Sequence, residues 1–137
     1  MPISRFVEYE DAPPDVRAVY DDIMATRQVD CINNFWKALA QHPPTLARTW
    51  ESLKQVMAQG ALDPIVKEML YVAVSIAHGC DYCVNSHTAA ARKAGMTDAM
   101  LGELMTVAGM ASETNALATA YQVELDDRLH VAARSGN

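Results

Sequence analysis

Residues 68–87, EMLYVAVSIAHGCDYCVNSH, run from an almost uncharged helical segment through a glycine into a second helical segment. After Glu68 the run Met69-Leu70-Tyr71-Val72-Ala73-Val74 continues to Ile76 and Ala77 without a charge. A helix that is apolar all round is ordinarily buried all round, so this one is expected inside the fold. Its β-branched residues also admit a buried strand, because a short apolar run does not settle its own period. Asp63-Pro64 favours the helix, as a capping carboxylate followed by proline at the first helical position. Gly79 is placed to stop it. Cys80 opens the next helix, whose Val84, His87, Thr88, Ala91 and Ala94 precede a second stop at Gly95. Residues 64–95 therefore read as a helical hairpin.

Upstream, residues 1–11 show no sustained period and read as an extended arm. Pro13-Pro14 opens a helix with Val16, Val19, Tyr20, Ile23 and Met24 on one face, ending near Arg27. A short helix is expected over Asn34–Gln41, capped by Asn33 or Asn34 and striped by Phe35, Trp36, Leu39 and Ala40. Pro43 and Pro44 then start a helix carrying Leu46, Trp50, Leu53, Val56 and Met57, with Gly60 expected at its C-terminal turn. Downstream, Thr97 caps a helix from Asp98 to about Ala108, with Met100, Leu101, Leu104, Met105 and Val107 facing inward. Beyond Gly109 a separate alanine-rich helix is expected over Ala111–Ala133. Strand pairs, repeats and low-complexity linkers find no support, so the chain reads as all-α, a single domain over 1–137 with six to seven helices.

The length of 137 residues suits one core. With 11 Lys and Arg, a net charge of −6 and a pI near 5.0, the surface is not suited to phosphate, and nucleic acid is not expected as a partner. No apolar run is long enough to span a membrane, and Glu8, Glu10 and Asp11 interrupt any signal-peptide core, so a cytoplasmic protein is expected. Three cysteines, two of them on a C-x-x-C spacing, fit a catalytic or metal pair in a reducing compartment better than a disulfide framework, with Cys31 a bystander. Half the residues are hydrophobic, which favours self-association.

A thiol attacks as the thiolate, and an ordinary cysteine is thiolate to only a few per cent at neutral pH. Cys80 and Cys83 fall in the first helical turn after Gly79, where unpaired N–H groups favour negative charge. His87 follows Cys83 by four residues, one turn along the same face. Glu68 lies twelve residues before Cys80, and an antiparallel turn at Gly79 brings it back toward the site if the two helices pack closely. Carboxylate, imidazole and thiol then form a proton relay. The second cysteine allows a sulfenic acid on one sulfur to condense to an intramolecular disulfide.

Other readings share these residues. Cys80, Cys83 and His87, with His78 or Cys31, offer a ligand set for zinc in a zinc-stabilised interaction module. A thioredoxin-like site needs its C-x-x-C after a strand, and no strand precedes this one. Glu68 also reads as an ordinary acidic residue near a helix start. His78 and Tyr82 read as packing or hinge residues, and His42 and His130 as surface or capping histidines.

The pattern Glu68, Cys80-x-x-Cys83, His87 resembles the signature of the AhpD-like alkylhydroperoxidases within the carboxymuconolactone decarboxylase family. The flanking Asp63-Pro64, the small-residue helix after His87 and the Asn33 to Pro44 segment, N-x-F-W followed by H-P-P, agree with it, and the resemblance spans roughly residues 30–110. It implies an AhpD-like all-α fold forming trimers or hexamers, and a peroxidase or protein disulfide reductase activity of antioxidant type that needs no cofactor. It further implies Cys80 and Cys83 as the redox pair, Glu68 and His87 as proton relay, and a peroxiredoxin or dihydrolipoyl protein as electron-transfer partner. Some members carry a histidine between the cysteines; here Tyr82 stands there, which removes one proton carrier. The decarboxylase branch, a lyase acting on a small acid, is the other activity the family implies, but the cysteine pair does not mark that branch.

Overall fold

The computed structural model describes residue 3 and residues 5–130, and among these it contains six α-helices, one 3-10 turn and no strand. The chain divides into two compact units, Met1–Gln59 and Gly60–Asn137.

The first unit holds α1 (Pro14–Arg27), α2 (Asn34–Leu39) and α3 (Pro43–Met57). Proline occupies the first turn of α1, with Asp15 at the positive end of its dipole and Arg27 at the negative end. Its stripe of Val16, Tyr20 and Ile23 is buried against Ile32, Trp36, Ala40, Leu46 and Trp50. Trp36 and Trp50 meet edge to face, with centroids 5.5 Å apart and planes at 85°. The indole of Trp50 donates to Asp22 Oδ2 at 2.6 Å and the Lys54 ammonium donates to the same oxygen at 2.8 Å. These bonds, that of Lys54 foremost, hold the Asp22 carboxyl below its ordinary range.

Two expectations for the chain up to the end of α3 need correction. The segment before α1 is no free extended arm: the chain turns at Tyr9–Asp11, and Val7 N–H donates to Lys37 C=O at 3.1 Å. The Tyr20 hydroxyl donates to Val7 C=O at 2.9 Å, and the Arg17 guanidinium donates to the carbonyls of Tyr9 and Glu10. Val7 and Tyr9 pack on the core, and an isolated stretch without periodicity gives no hint of that partner. Residues 1, 2 and 4 of the expected arm lie outside the described residues. Gly60 does not cap α3 either, because the helix already ends at Met57, where Ala58 turns extended with ψ 158°.

Burial, helped by Glu8, pushes the Tyr20 phenol up to about 12. The folded chain therefore keeps this proton longer than the unfolded chain, which releases it near its model value of 10.0. Between those values the unfolded state binds fewer protons, so stability falls as pH rises. Tyr20→Phe is expected to lose about 1 kcal/mol at pH 7 with the bond to Val7 and to lack the decline above pH ~10. Urea melts of both proteins across that range check it.

The second unit is built from α4 (Pro64–His78), α5 (Asp81–Lys93) and α6 (Asp98–Ala120). Both predicted glycine stops are present, Gly79 at φ 68° and Gly95 at φ 107°. At the first, Gly79 N–H donates to Ile76 C=O and Cys80 N–H to Ser75 C=O, the paired bonds of a Schellman motif. Only glycine takes this left-handed conformation without a Cβ penalty. The turn folds α5 back along α4, and Val72, Ala91, Met96 and Leu104 form the core, with Ile65, Met69, Ile76, Met100 and Leu101 packed against it.

α4 is not buried on all sides as its composition predicts. Val66, Leu70 and Val74, four residues apart, are 38%, 52% and 57% exposed. α5 and α6 pack on α4 and leave this stripe uncovered. Met105 and Val107, expected to face inward on α6, are likewise exposed. Instead of two helices broken at Gly109, α6 runs unbroken through that glycine for 23 residues. One interior glycine costs a helix only about 1 kcal/mol, which its alanine-rich flanks outweigh. The helix also stops well short of Ala133, at Ala120, beyond which Gln122 takes φ 50° and a 3-10 turn covers Asp127–Leu129. Glu124, Asp126 and Asp127 would put negative charge at the negative end of a longer helix dipole. Residues 131–133 of the expected helix lie outside the described residues.

Candidate active site

All four residues singled out by the sequence lie on the α4–α5 hairpin. Cys80 is the N-cap of α5, and its Sγ accepts the backbone N–H of Cys83 at 3.3 Å. A sulfur in the cap position takes a role usually filled by a hydroxyl or carboxylate oxygen, and negative charge there is favoured by the open N–H groups of the first turn. Cys80 and Cys83 are joined by a disulfide with their Cα atoms 5.3 Å apart, and both are half-buried. Cys31, the remaining cysteine, is a free and exposed thiol in the first unit.

The return of Glu68, which the spacing alone leaves conditional, is realised. Its Oε2 lies 2.7 Å from His87 Nδ1, across a separation of 19 residues. Both side chains are largely shielded, His87 at 11% and Glu68 at 16% exposure. An ionised carboxylate only accepts, so in this pair the proton of the bond sits on Nδ1. A neutral His87 then keeps Nε2 as its acceptor, the atom able to take a proton from a neighbouring group. The structure thus displays two direct links, Glu68 to His87 and Cys80 to Cys83. The step between them is the helical one, with Cys83 and His87 one turn apart on α5.

One further residue meets this site without being marked by a motif. Tyr71, which the sequence marks only as one apolar position of α4, stacks on His87 with centroids 3.7 Å apart and planes 18° from parallel. Ser75 is buried and donates its hydroxyl to Tyr71 C=O at 2.7 Å, satisfying a polar group that would otherwise be costly inside. A signal for Tyr71 existed, since it follows Glu68 by three residues and so shares its helical face. His78 bonds to Val74 C=O of its own helix and His42 to the Thr45 hydroxyl, so neither joins the site through these bonds.

Comparison with known proteins places the chain by family and fold. A crystal structure of the alkylhydroperoxidase AhpD core from Rhodospirillum rubrum is 48% identical, covers 96% of this chain and 99% of its own, and superposes with a TM-score of 0.92. An uncharacterised protein of Cupriavidus necator is 32% identical over 77 residues, 56% of this chain and 68% of its own length. A second uncharacterised protein, encoded in the cox locus of Paracoccus denitrificans, is 38% identical over 55 residues, 40% of this chain and half of its own length. The sequence model of the carboxymuconolactone decarboxylase family matches residues 43–123, which include the whole hairpin. With an AhpD-like all-α fold and more than half its length matched by that model, the chain belongs to the carboxymuconolactone decarboxylase family.

Proposed function

We propose that the protein is a thiol-dependent peroxidase that reduces hydrogen peroxide or organic hydroperoxides. The observation that carries this reading is the Cys80–Cys83 disulfide at the start of α5, one helical turn from a His87 already paired with Glu68. In the forward half-reaction the Cys83 thiolate attacks the distal peroxide oxygen. The S–O bond forms, the O–O bond breaks, and the sulfur loses two electrons to become a sulfenic acid. The departing alkoxide or hydroxide takes the proton that His87 Nε2 accepted from the Cys83 thiol when the thiolate formed, a proton that Glu68 helps the imidazole to hold and replace. The Cys80 thiol then attacks the sulfenic sulfur, the S–S bond forms and water leaves. An external dithiol of the dihydrolipoyl class, or a peroxiredoxin-linked donor, returns the pair to thiols by two exchange steps. A reducing cytoplasmic compartment suits that cycle.

The test starts from protein reduced by a dithiol and freed of it. One equivalent of peroxide is expected to lower the mass of the Cys80–Cys83 peptide by two hydrogens and to consume the peroxide one for one. Peroxide left unconsumed, with both thiols still titratable, would sink the reading.

Self-association belongs to the same proposal. The Val66, Leu70 and Val74 stripe of α4, and Val107, Met110 and Leu117 along α6, expose apolar surface of the kind that marks a contact with another chain. A trimer or hexamer of this chain is expected by light scattering. Leu70→Asp should shift it toward monomer by placing a charge in the contact, and an unchanged mass would count against the α4 stripe as the interface.

A further inference from the structure

We infer that Tyr71 is a positioning residue of this site, holding the plane of the His87 imidazole against its contact with Glu68. The function assigned to that held ring rests on the peroxidase reading; the holding itself does not. The histidine χ2 torsion is broad, so covalent structure alone leaves the ring plane loosely defined. The bond from Nδ1 to Glu68 Oε2 pins one edge at 2.7 Å but leaves the ring able to swing about that contact. The Tyr71 ring removes that freedom by covering one imidazole face at 3.7 Å and 18°.

Ring preference alone does not account for this arrangement. Aromatic pairs left to their own quadrupoles settle offset or edge to face, with centroids about 4.5–7 Å apart. A closer, nearly parallel stack has to be imposed by the surrounding structure, and the shared helix imposes it here. Tyr71 shares a helical face with Glu68, so one helix presents both partners of His87 together. Tyr71 is also set apart from ordinary packing. The apolar core of this unit is Val72, Ala91, Met96 and Leu104 with their neighbours, whereas the Tyr71 ring is half-buried and lies on the imidazole. With one edge bonded and one face covered, a single orientation of the Nε2 edge remains for proton exchange, and a relay gains most from such pre-set geometry.

The experiment uses the full-length reduced protein and three measurements. In proton NMR the His87 ring resonances, assigned by their loss in His87→Gln, are expected well upfield of those of the exposed His42, because they lie over the Tyr71 face. Tyr71→Phe keeps the ring and is expected to preserve that shift, while Tyr71→Leu abolishes it. In steady-state peroxide reduction, Tyr71→Leu is expected to lower kcat about tenfold with KM little changed, and Tyr71→Phe to stay within about twofold of the parent. Circular dichroism establishes that each variant is folded; should Tyr71→Leu fail to fold, the parent and Tyr71→Phe spectra decide. His87 resonances at ordinary positions in the parent, an unchanged kcat in Tyr71→Leu, or a fall in Tyr71→Phe as deep as in Tyr71→Leu each overturn the inference. A parent protein that consumes no peroxide overturns the peroxidase reading instead, and the ring shifts then decide the role of Tyr71 by themselves.

Discussion

Replacing Cys83 with serine is expected to reduce peroxide consumption about a thousandfold or more, the scale seen when a nucleophile is removed from a relay that works as a unit. Serine keeps the size of the side chain and its place in the first turn of α5, so the helix should be unaffected. What is lost is a group that is readily deprotonated and readily oxidised, since a hydroxyl has no counterpart to the sulfenic acid. Cys80→Ser is expected to behave differently. The first equivalent of peroxide should still be consumed, because Cys83 remains, but turnover should stall at a sulfenic acid that a cyclic 1,3-diketone traps on Cys83. Were the trapped sulfur found on Cys80 in the Cys83→Ser protein, the order of attack would be reversed, which the N-cap position of Cys80 makes a physically reasonable outcome. Full turnover of a small acid substrate by Cys83→Ser would instead favour the lyase activity found elsewhere in the family.

The second large effect is expected at Glu68. Glu68→Gln should lower kcat by about a hundredfold or more, the usual scale for removing a member of a proton-transfer pair. The amide oxygen of glutamine can still accept the Nδ1 proton of His87, so the fold should tolerate the change. It carries no charge, however, and cannot accept or pass on the proton that the mechanism requires. Glu68→Leu separates the structural share of the bond from the catalytic one. It leaves the shielded Nδ1 without its acceptor, and unfolding free energy should drop by about 1–3 kcal/mol. Thermal melts beside kcat measurements decide between the two contributions. A Glu68→Gln enzyme with parental kcat would reduce Glu68 to a structural anchor for the imidazole.

The hairpin was legible in the chain because its signals are local. Asp63-Pro64 and Gly79 announce the bounds of α4 within a turn of where they fall, and Gly95 does the same for α5. Other local signals are ambiguous until their surroundings are known. Gly109 looks like a helix stop in a sequence, yet α6 passes through it, because a glycine ends a helix only when the flanking residues also cease to favour one. The segment before α1 looked featureless, since its order comes from bonds to Arg17, Tyr20 and Lys37 far along the chain. The uncharged run in α4 favours burial all round, yet one stripe is exposed, because composition reports how much apolar surface a helix carries and leaves open what covers it.

The sequence by itself determined the helical class, the two glycine turns of the second unit and the pairing distance of Cys80 and Cys83. Each of these depends on residues within one or two turns of each other, where backbone conformation settles geometry. Only the tertiary structure decided that Glu68 reaches His87, that Tyr71 lies over that ring, and which face of α4 is left exposed. Those outcomes turn on how α5 folds back along α4 at Gly79 and on which side chains that crossing opposes. Such a register is selected by packing across many residues and is written in no single motif.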